Sequence, residues 1–175
     1  MSSAAVGYFY GFNLFEAGTT ASAAYALKPA LYSCYNSYCN YSKGNCAKGF
    51  SAHFKTSFQA VSGKLGPGQA THLAMLRAIE GPCAPAVWPA DGPRCAGLAV
   101  LHQGWAGLFD VATAPDARRQ GLARTLCEQL LHWAAAQGAH HAYLQVVQAN
   151  AGARALYARL GFVTAYRYWY RVKSA

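Results

Sequence analysis

WAGLFDVATAPDARRQGLA, residues 105–123, passes from one kind of structure to another within a few positions. Residues 105–113 are mostly apolar and carry the aromatic and β-branched types that suit a strand. Pro115-Asp116 interrupts them. Leu122, Leu126, Leu130 and Trp133 then recur at helical spacing, so a helix is expected from about 120 to 137, with Gly138 ending it. Just upstream, residues 95–101 (CAGLAVL) read as another strand, and Gln103-Gly104 as the turn of a hairpin. Downstream, residues 142–147 (AYLQVV) read as a buried strand. A short helix is expected over 151–160, with Asn150 as its cap and Gly161 as its stop. Residues 162–172 close as a strand. The order β-β-α-β-α-β predicts an α/β fold with a mixed, mostly antiparallel central sheet flanked by helices.

The chain has 175 residues, which favours a single domain over 1–175. It is 54% hydrophobic and only 12% charged, which excludes a disordered chain. No apolar run is long enough to span a membrane. The first 27 residues hold one charge, Glu16, and lack the basic start of a secretory signal, so a cytoplasmic protein is expected. The net charge of +9 points to an anionic partner: a phosphate-bearing cofactor, a nucleic acid or an acidic lipid.

Six cysteines are present, at 34, 39, 46, 83, 95 and 127. A chain this long and apolar does not need disulfides. Cys34, Cys39, Cys46 and His53 have a spacing that matches no common zinc knuckle or finger. Free thiols and no metal are therefore expected.

The two parts of the chain differ in texture. Residues 1–80 carry five Lys and one Arg, whereas residues 81–175 carry eight Arg and one Lys. In the first part, residues 6–15 read as an aromatic strand, 32–50 as turn-rich and irregular, and 69–80 as a helix through Leu73, Leu76 and Ile79.

Residues 118–123, Arg118-Arg119-Gln120-Gly121-Leu122-Ala123, occupy a strand-to-helix junction. Free N–H groups at a helix start carry partial positive charge and suit a pyrophosphate. Gly121 lets the backbone approach, Ala123 is small, and two arginines add charge-assisted contacts. Such junctions also carry Gly and Arg for packing and solubility alone, and the six residues by themselves do not separate the two readings.

Two motifs do add to them. VATAPDARRQGLARTL resembles the acetyl-CoA-binding motif of the GCN5-related N-acetyltransferase (GNAT) superfamily, Gln/Arg-x-x-Gly-x-Gly/Ala after a strand and a proline, with Arg118, Gly121 and Ala123 in its defining places. NAGARALYARLGF, residues 150–162, is similar to the family's Asn-x-x-Ala-x-x-x-Tyr followed by Leu-Gly-Phe. The likeness covers roughly 94–172, an acetyl-CoA-binding core, and does not extend to 1–80, an atypical portion where the family's first strand and two helices should lie, which is long enough to supply them and is a candidate for the acceptor side.

The resemblance implies an N-acetyltransferase that moves an acetyl group from acetyl-CoA, a co-substrate, to a primary amine by direct attack. It implies that the loop amides from Arg119 to Ala123, with Arg118, hold the diphosphate. The strand edge Val111-Ala112-Thr113 would pair with the pantetheine amides. The sheet is expected to splay between this strand and 142–147. A backbone N–H near Val111 would polarise the thioester carbonyl. Tyr157 would protonate the departing thiolate, the alternative being simple packing on its helix. Asn150 would contact the cofactor or cap its helix.

An alkyl amine must lose a proton before it attacks. Asp110 interrupts an apolar strand, where a carboxylate is costly unless partnered, and is the candidate base; an ion pair or capping contact with a neighbouring arginine is the alternative reading. His102, His140 and His141 read as solvated surface, and bound water as a possible relay. Trp105, Phe109, Trp133 and Phe162 read as core aromatics. Tyr166, Tyr168 and Tyr170 alternate with Arg167, Trp169 and Arg171, the pattern of an edge strand kept soluble by charge or of a nucleic-acid face. The implied partners are acetyl-CoA and a small-molecule or protein amine, with a homodimer left open and no membrane. The competing reading is a non-catalytic protein on the same fold that binds acyl-CoA or nucleic acid.

Overall fold

The computed structural model describes residues 5–13, 48–63, 68–89 and 92–170. The expected irregular run up to residue 47, with Cys34, Cys39 and Cys46, lies outside them, as does residue 171 onward. The elements are β1 (Ala5–Asn13), α1 (Lys48–Ser62), α2 (Gln69–Arg77), β2 (Cys83–Trp88), β3 (Cys95–His102), β4 (Trp105–Thr113), a 3-10 turn (Pro115–Ala117), α3 (Leu122–Ala136), β5 (His141–Val147), α4 (Ala151–Arg159) and β6 (Val163–Tyr170).

The strands form one mixed sheet in the order β2-β3-β4-β5-β1-β6. All neighbours are antiparallel except β4 and β5, which run parallel. The β3–β4 hairpin closes through Gln103 and Gly104, both with positive φ (48° and 78°), the conformation that matches strand twist in a two-residue turn. β1 does not lie beside β2. It crosses the molecule to separate β5 from β6, with Gly11 opposite Tyr143 on one side and Val163 on the other.

Two apolar layers sandwich the sheet. On one face, Leu126, Cys127, Leu130, Leu131 and Trp133 of α3 pack with Ala99, Leu101, Ala106, Leu108, Leu144 and Val146. The helix buries the stripe its spacing predicts, and each buried leucine is worth about 2–5 kcal/mol against alanine. On the other face, Phe54 and Val61 of α1 and Leu76 of α2 pack with Val87, Ala96 and Leu98. α1 lies against β2, β3 and β4.

Three expectations need correction. α1 falls partly in a region read as irregular, and its residues Phe54, Phe58 and Val61 follow helical spacing. β2 was not anticipated; it contains Pro85, which an edge strand tolerates because one side needs no partner. Trp105 and Phe109 are not core: they are 42% and 40% exposed, and pack instead on His141 and Tyr143. Trp133 and Phe162 are buried as expected. β6 is the edge strand the alternation suggested.

Candidate functional site

The β4–β5 ladder is short. Trp105 to Leu108 pair with His141 to Leu144, and pairing stops there. Past that point the two strands share no register, so the edge of β4 from Phe109 to Thr113 has no strand partner on the β5 side. This is the expected splay between the two strands.

The opening begins at a bulge. Leu98 pairs with Phe109 and Ala96 with Ala112, so Asp110 and Val111 together face the single Gly97. Asp110 adopts φ +52°, a left-handed conformation that aspartate tolerates better than most residues. The bulge resets the alternation of side chains. Val111 turns into the α3 layer, where its Cγ2 lies 3.4 Å from the position of a Cβ on Gly97, and Ala112 turns to the α1 layer. Asp110 is released from the α3 core and reaches α2 instead.

There it meets a residue that sequence patterning did not single out. His72 Nε2 of α2 lies 2.6 Å from Asp110 Oδ2, and the two side chains are 22% and 25% exposed. Phe58 of α1 packs its ring on the imidazole, with centroids 5.2 Å apart. The carboxylate in the apolar strand is therefore partnered, by an imidazole rather than by one of the arginines. Only the fold brings His72 and Asp110 together, 38 positions apart.

At the far end of β4 the chain turns through Pro115–Ala117 into α3. Arg119 and Gly121 both have positive φ (61° and 81°), a backbone form that gathers amides into an anion-accepting concavity. Gly121 is the N-cap of α3 and no side chain caps that end. The first-turn amides of Leu122 and Ala123 therefore have no intrahelical acceptor and point outward with the positive end of the helix dipole. The side chains of Leu122 and Ala123 pack inward. A Cβ at Gly121 would meet nothing within 4 Å, so the concavity is open at its rim. Arg118 is exposed, and its Nε donates to the Thr113 carbonyl at 3.4 Å. Gln120 donates to the Asp116 carbonyl at 3.3 Å. Asp116 pairs with Arg94, whose guanidinium holds that carboxyl below its usual range. The acid nearest the loop is thus neutralised.

α4 begins differently. Asn150 Oδ1 accepts from the Ala153 amide at 3.1 Å, so Asn150 caps the helix. Tyr157, further along α4, is buried against Leu144 and Val146 of β5, with Phe162 edge-on at 5.9 Å. Burial pushes its phenol well above the ordinary value, and the thiols of Cys127 and Cys95 add in the same direction. Cys95 Sγ contacts Thr113 Oγ1 at 3.4 Å, and Tyr157 shares the α3-side core with Cys95 and Cys127. The phenol is held protonated at neutral pH. Asp110 thus reaches the α2 side of the sheet, and Tyr157 lies in the core on the α3 side.

His102 and His140 are exposed as expected, but His141 is half-buried and packs on Trp105 with centroids 4.5 Å apart. Tyr143 stands edge-on to Phe109 at 6.0 Å. Cys95 and Cys127 are free and buried. Cys83 is disulfide-bonded, which departs from the expectation of free thiols throughout. No three His, Cys, Asp or Glu side chains among the described residues group as a metal site, and no described helix is long and apolar enough to cross a membrane.

These features can be set beside known proteins. Residues 57–162 match the Acetyltransferase (GNAT) family. The [ribosomal protein bS18]-alanine N-acetyltransferase of Escherichia coli (strain K12) is 46% identical over 57 residues, covering 33% of this chain and 38% of that protein. The crystal structure of the ribosomal-protein-S18-alanine N-acetyltransferase from Escherichia coli superposes with a TM-score of 0.53 at 25% identity, over 66% of this chain and 72% of that one. A GCN5-related N-acetyltransferase from Sphaerobacter thermophilus shares the fold, with a TM-score of 0.62 at 15% identity, over 99% of this chain and 54% of that one. The chain spans well under half the length of the curated relatives it matches, 31% and 38% in two cases. Matched over more than half of its residues, through both the splayed strands and the loop that opens α3, the chain belongs to the GNAT acetyltransferase family.

Proposed function

We propose that this protein transfers an acetyl group from acetyl-CoA to a primary amine. The observation that carries the reading is the continuity of three features on β4: the bulge at Asp110, the unpaired edge from Phe109 to Thr113, and the uncapped start of α3. A strand edge with free amides and carbonyls suits the two amides of pantetheine, as it would suit a peptide. The concavity of Arg119 to Ala123, with Arg118 and Gln120 beside it, suits a diphosphate. In this reading the backbone N–H of Val111, at the bulge, would polarise the thioester carbonyl, where negative charge develops. Leu122 packs the loop against the core and fixes the helix start.

In this reading the amine arrives from the α2 side, where Asp110 and its surroundings take its proton, and Tyr157 gives a proton to the departing sulfur from the α3 side. Phenol and thiol have ordinary pKa values of about 10 and 8.5; burial of Tyr157 widens that gap, so in this reading the proton moves along the hydrogen bond only as charge develops on the departing sulfur. Burial keeps the phenol in the donor form. Asn150 caps the start of α4, the helix that carries Tyr157, and in this reading its exposed side can also contact the cofactor. A cytoplasmic location fits the supply of acetyl-CoA.

The test is release of CoA thiol from acetyl-CoA with the full chain and a fixed set of amines: tyramine, spermidine, lysine and a peptide beginning with alanine. The peptide is included because the Escherichia coli relative is named for an alanine of a ribosomal protein. Amine-dependent release supports the proposal. CoA binding without release with any amine would leave a binding protein and overturn the enzymatic reading.

A further inference from the structure

We propose that the proton acceptor for the amine is Nδ1 of His72, and that Asp110 is the positioning residue that makes it so. The inference rests on the acetyltransferase reading above and assigns its base to a particular atom.

The hydrogen bond fixes the tautomer. An ionised carboxylate only accepts, so the 2.6 Å contact between Asp110 Oδ2 and His72 Nε2 requires the proton on Nε2. A neutral imidazole carries one N–H, so Nδ1 holds the lone pair. The described residues give His72 no partner besides Asp110 and the Phe58 ring, so Nδ1 is available. The side chain is neither buried nor fully solvated, and an amine can reach it directly or through one water.

The charged surroundings of the imidazole are simple. β4 contributes Asp110, and α1 contributes the uncharged Phe58. Lys55 of α1 and Arg77 of α2 are not among its partners. Once Nδ1 takes a proton, the imidazolium faces the carboxylate across a charge-assisted bond that stabilises it. A carboxylate alone is poorly matched to an ammonium group; an imidazole works nearest to neutral pH.

The bulge explains why this pairing exists. With regular alternation, residue 110 would point into the α3 core like Leu108. The left-handed turn at Asp110 delivers the carboxylate to α2, at the place where β4 leaves β5. Strain and pairing converge on one residue at the mouth of the opening.

The step balances as follows. One ammonium proton passes to His72 Nδ1 and then to water. The amine nitrogen forms a bond to the acetyl carbon, the carbon–sulfur bond breaks, and the sulfur takes the Tyr157 proton. The second nitrogen proton leaves as the amide forms and restores the phenol.

The test has two arms. In the first, nitrogen NMR of the imidazole-labelled full chain reads the tautomer without any acceptor amine. His72 should show a protonated Nε2 and a bare Nδ1, and Asp110→Asn should abolish that preference. A protonated Nδ1 in the unmodified chain overturns the proposal. In the second, His72→Gln keeps an N–H donor for Asp110 but supplies no base. Acetyl transfer to the best of the four amines should fall about 100-fold in kcat, with melting temperature and the thermal shift given by CoA unchanged. The acid limb of the pH–rate profile should disappear, and added imidazole should restore part of the rate to His72→Ala. Asp110→Asn combined with His72→Gln should be no slower than His72→Gln alone, because the two residues act as a unit. Activity of His72→Gln within threefold of the unmodified chain, with its acid limb intact, overturns the proposal. Failure of the acetyltransferase reading looks different: the tautomer would stand while no amine was acetylated.

Discussion

Replacing Gly121 with glutamate separates what the loop does for folding from what it does for the cofactor. Gly121 sits at φ +81°, and a Cβ there would touch nothing within 4 Å, so the cost to the unliganded protein is conformational, not steric. A left-handed backbone costs an ordinary residue about 1–2 kcal/mol. For a chain of this size that lowers Tm by about 2–8 °C. In the unmodified protein, CoA at about 100 times its Kd adds about 2.7 kcal/mol, a rise of about 5–11 °C. A carboxylate about 4 Å from a phosphate charge opposes binding by about 4 kcal/mol at an effective dielectric of 20. That exceeds the whole gain, so Gly121→Glu should fold, melt somewhat lower and show no response to CoA. Gly121→Ala carries the same backbone cost without the charge, and its response to CoA should survive. Thermal melts of the three proteins with and without millimolar CoA decide the matter. A folded Gly121→Glu variant with the full CoA shift would refute the placement of the diphosphate.

Other outcomes follow from the same geometry. Tyr157→Phe keeps the buried ring and removes the proton donor; kcat should fall about 100-fold while the CoA shift stays, and an unchanged kcat in steady-state assays would return Tyr157 to a packing role. Asn150→Ala removes the acceptor for the Ala153 amide and should cost about 1 kcal/mol, read as a lower urea midpoint; an unchanged midpoint would show that the cap contributes nothing. Burial pushes the Cys127 thiol from 9.0 up to about 12. Between those values the unfolded chain binds fewer protons than the folded one, so stability present below pH 9 is lost as pH rises toward 12. Each such group contributes a slope of at most about 1.4 kcal/mol per pH unit, and Cys127→Ala should flatten the alkaline limb of a pH–stability series.

The second half of the chain was legible because its signals are local. Gln103-Gly104 marks a turn that needs positive φ twice, and the α3 stripe recurs at one period. Asn150 stands three residues before the amide it caps. What escaped depends on the third dimension. β1 shows an aromatic strand pattern but not that its partners lie beyond residue 140. Trp105 and Phe109 lie outside both apolar clusters, which an aromatic strand pattern does not encode. β2 contains Pro85, and a proline argues against a strand unless the strand is known to lie at an edge. Asp110 stood out as a polar residue in an apolar run, and its chemistry was visible to that extent. The bulge that turns it, and the imidazole that meets it, were not. A helical reading of residues 69–80 already placed His72 on an element; only the packing of α2 against the bulge gave it a partner.

One crystal structure of the full chain with CoA tests the core of this account most directly. The account predicts the diphosphate on the amides of residues 119–123 and the pantetheine arm along Val111 to Thr113, with the sulfur entering the gap between β4 and β5. CoA bound on another face, with that gap closed or filled by the protein's own side chains, would contradict it.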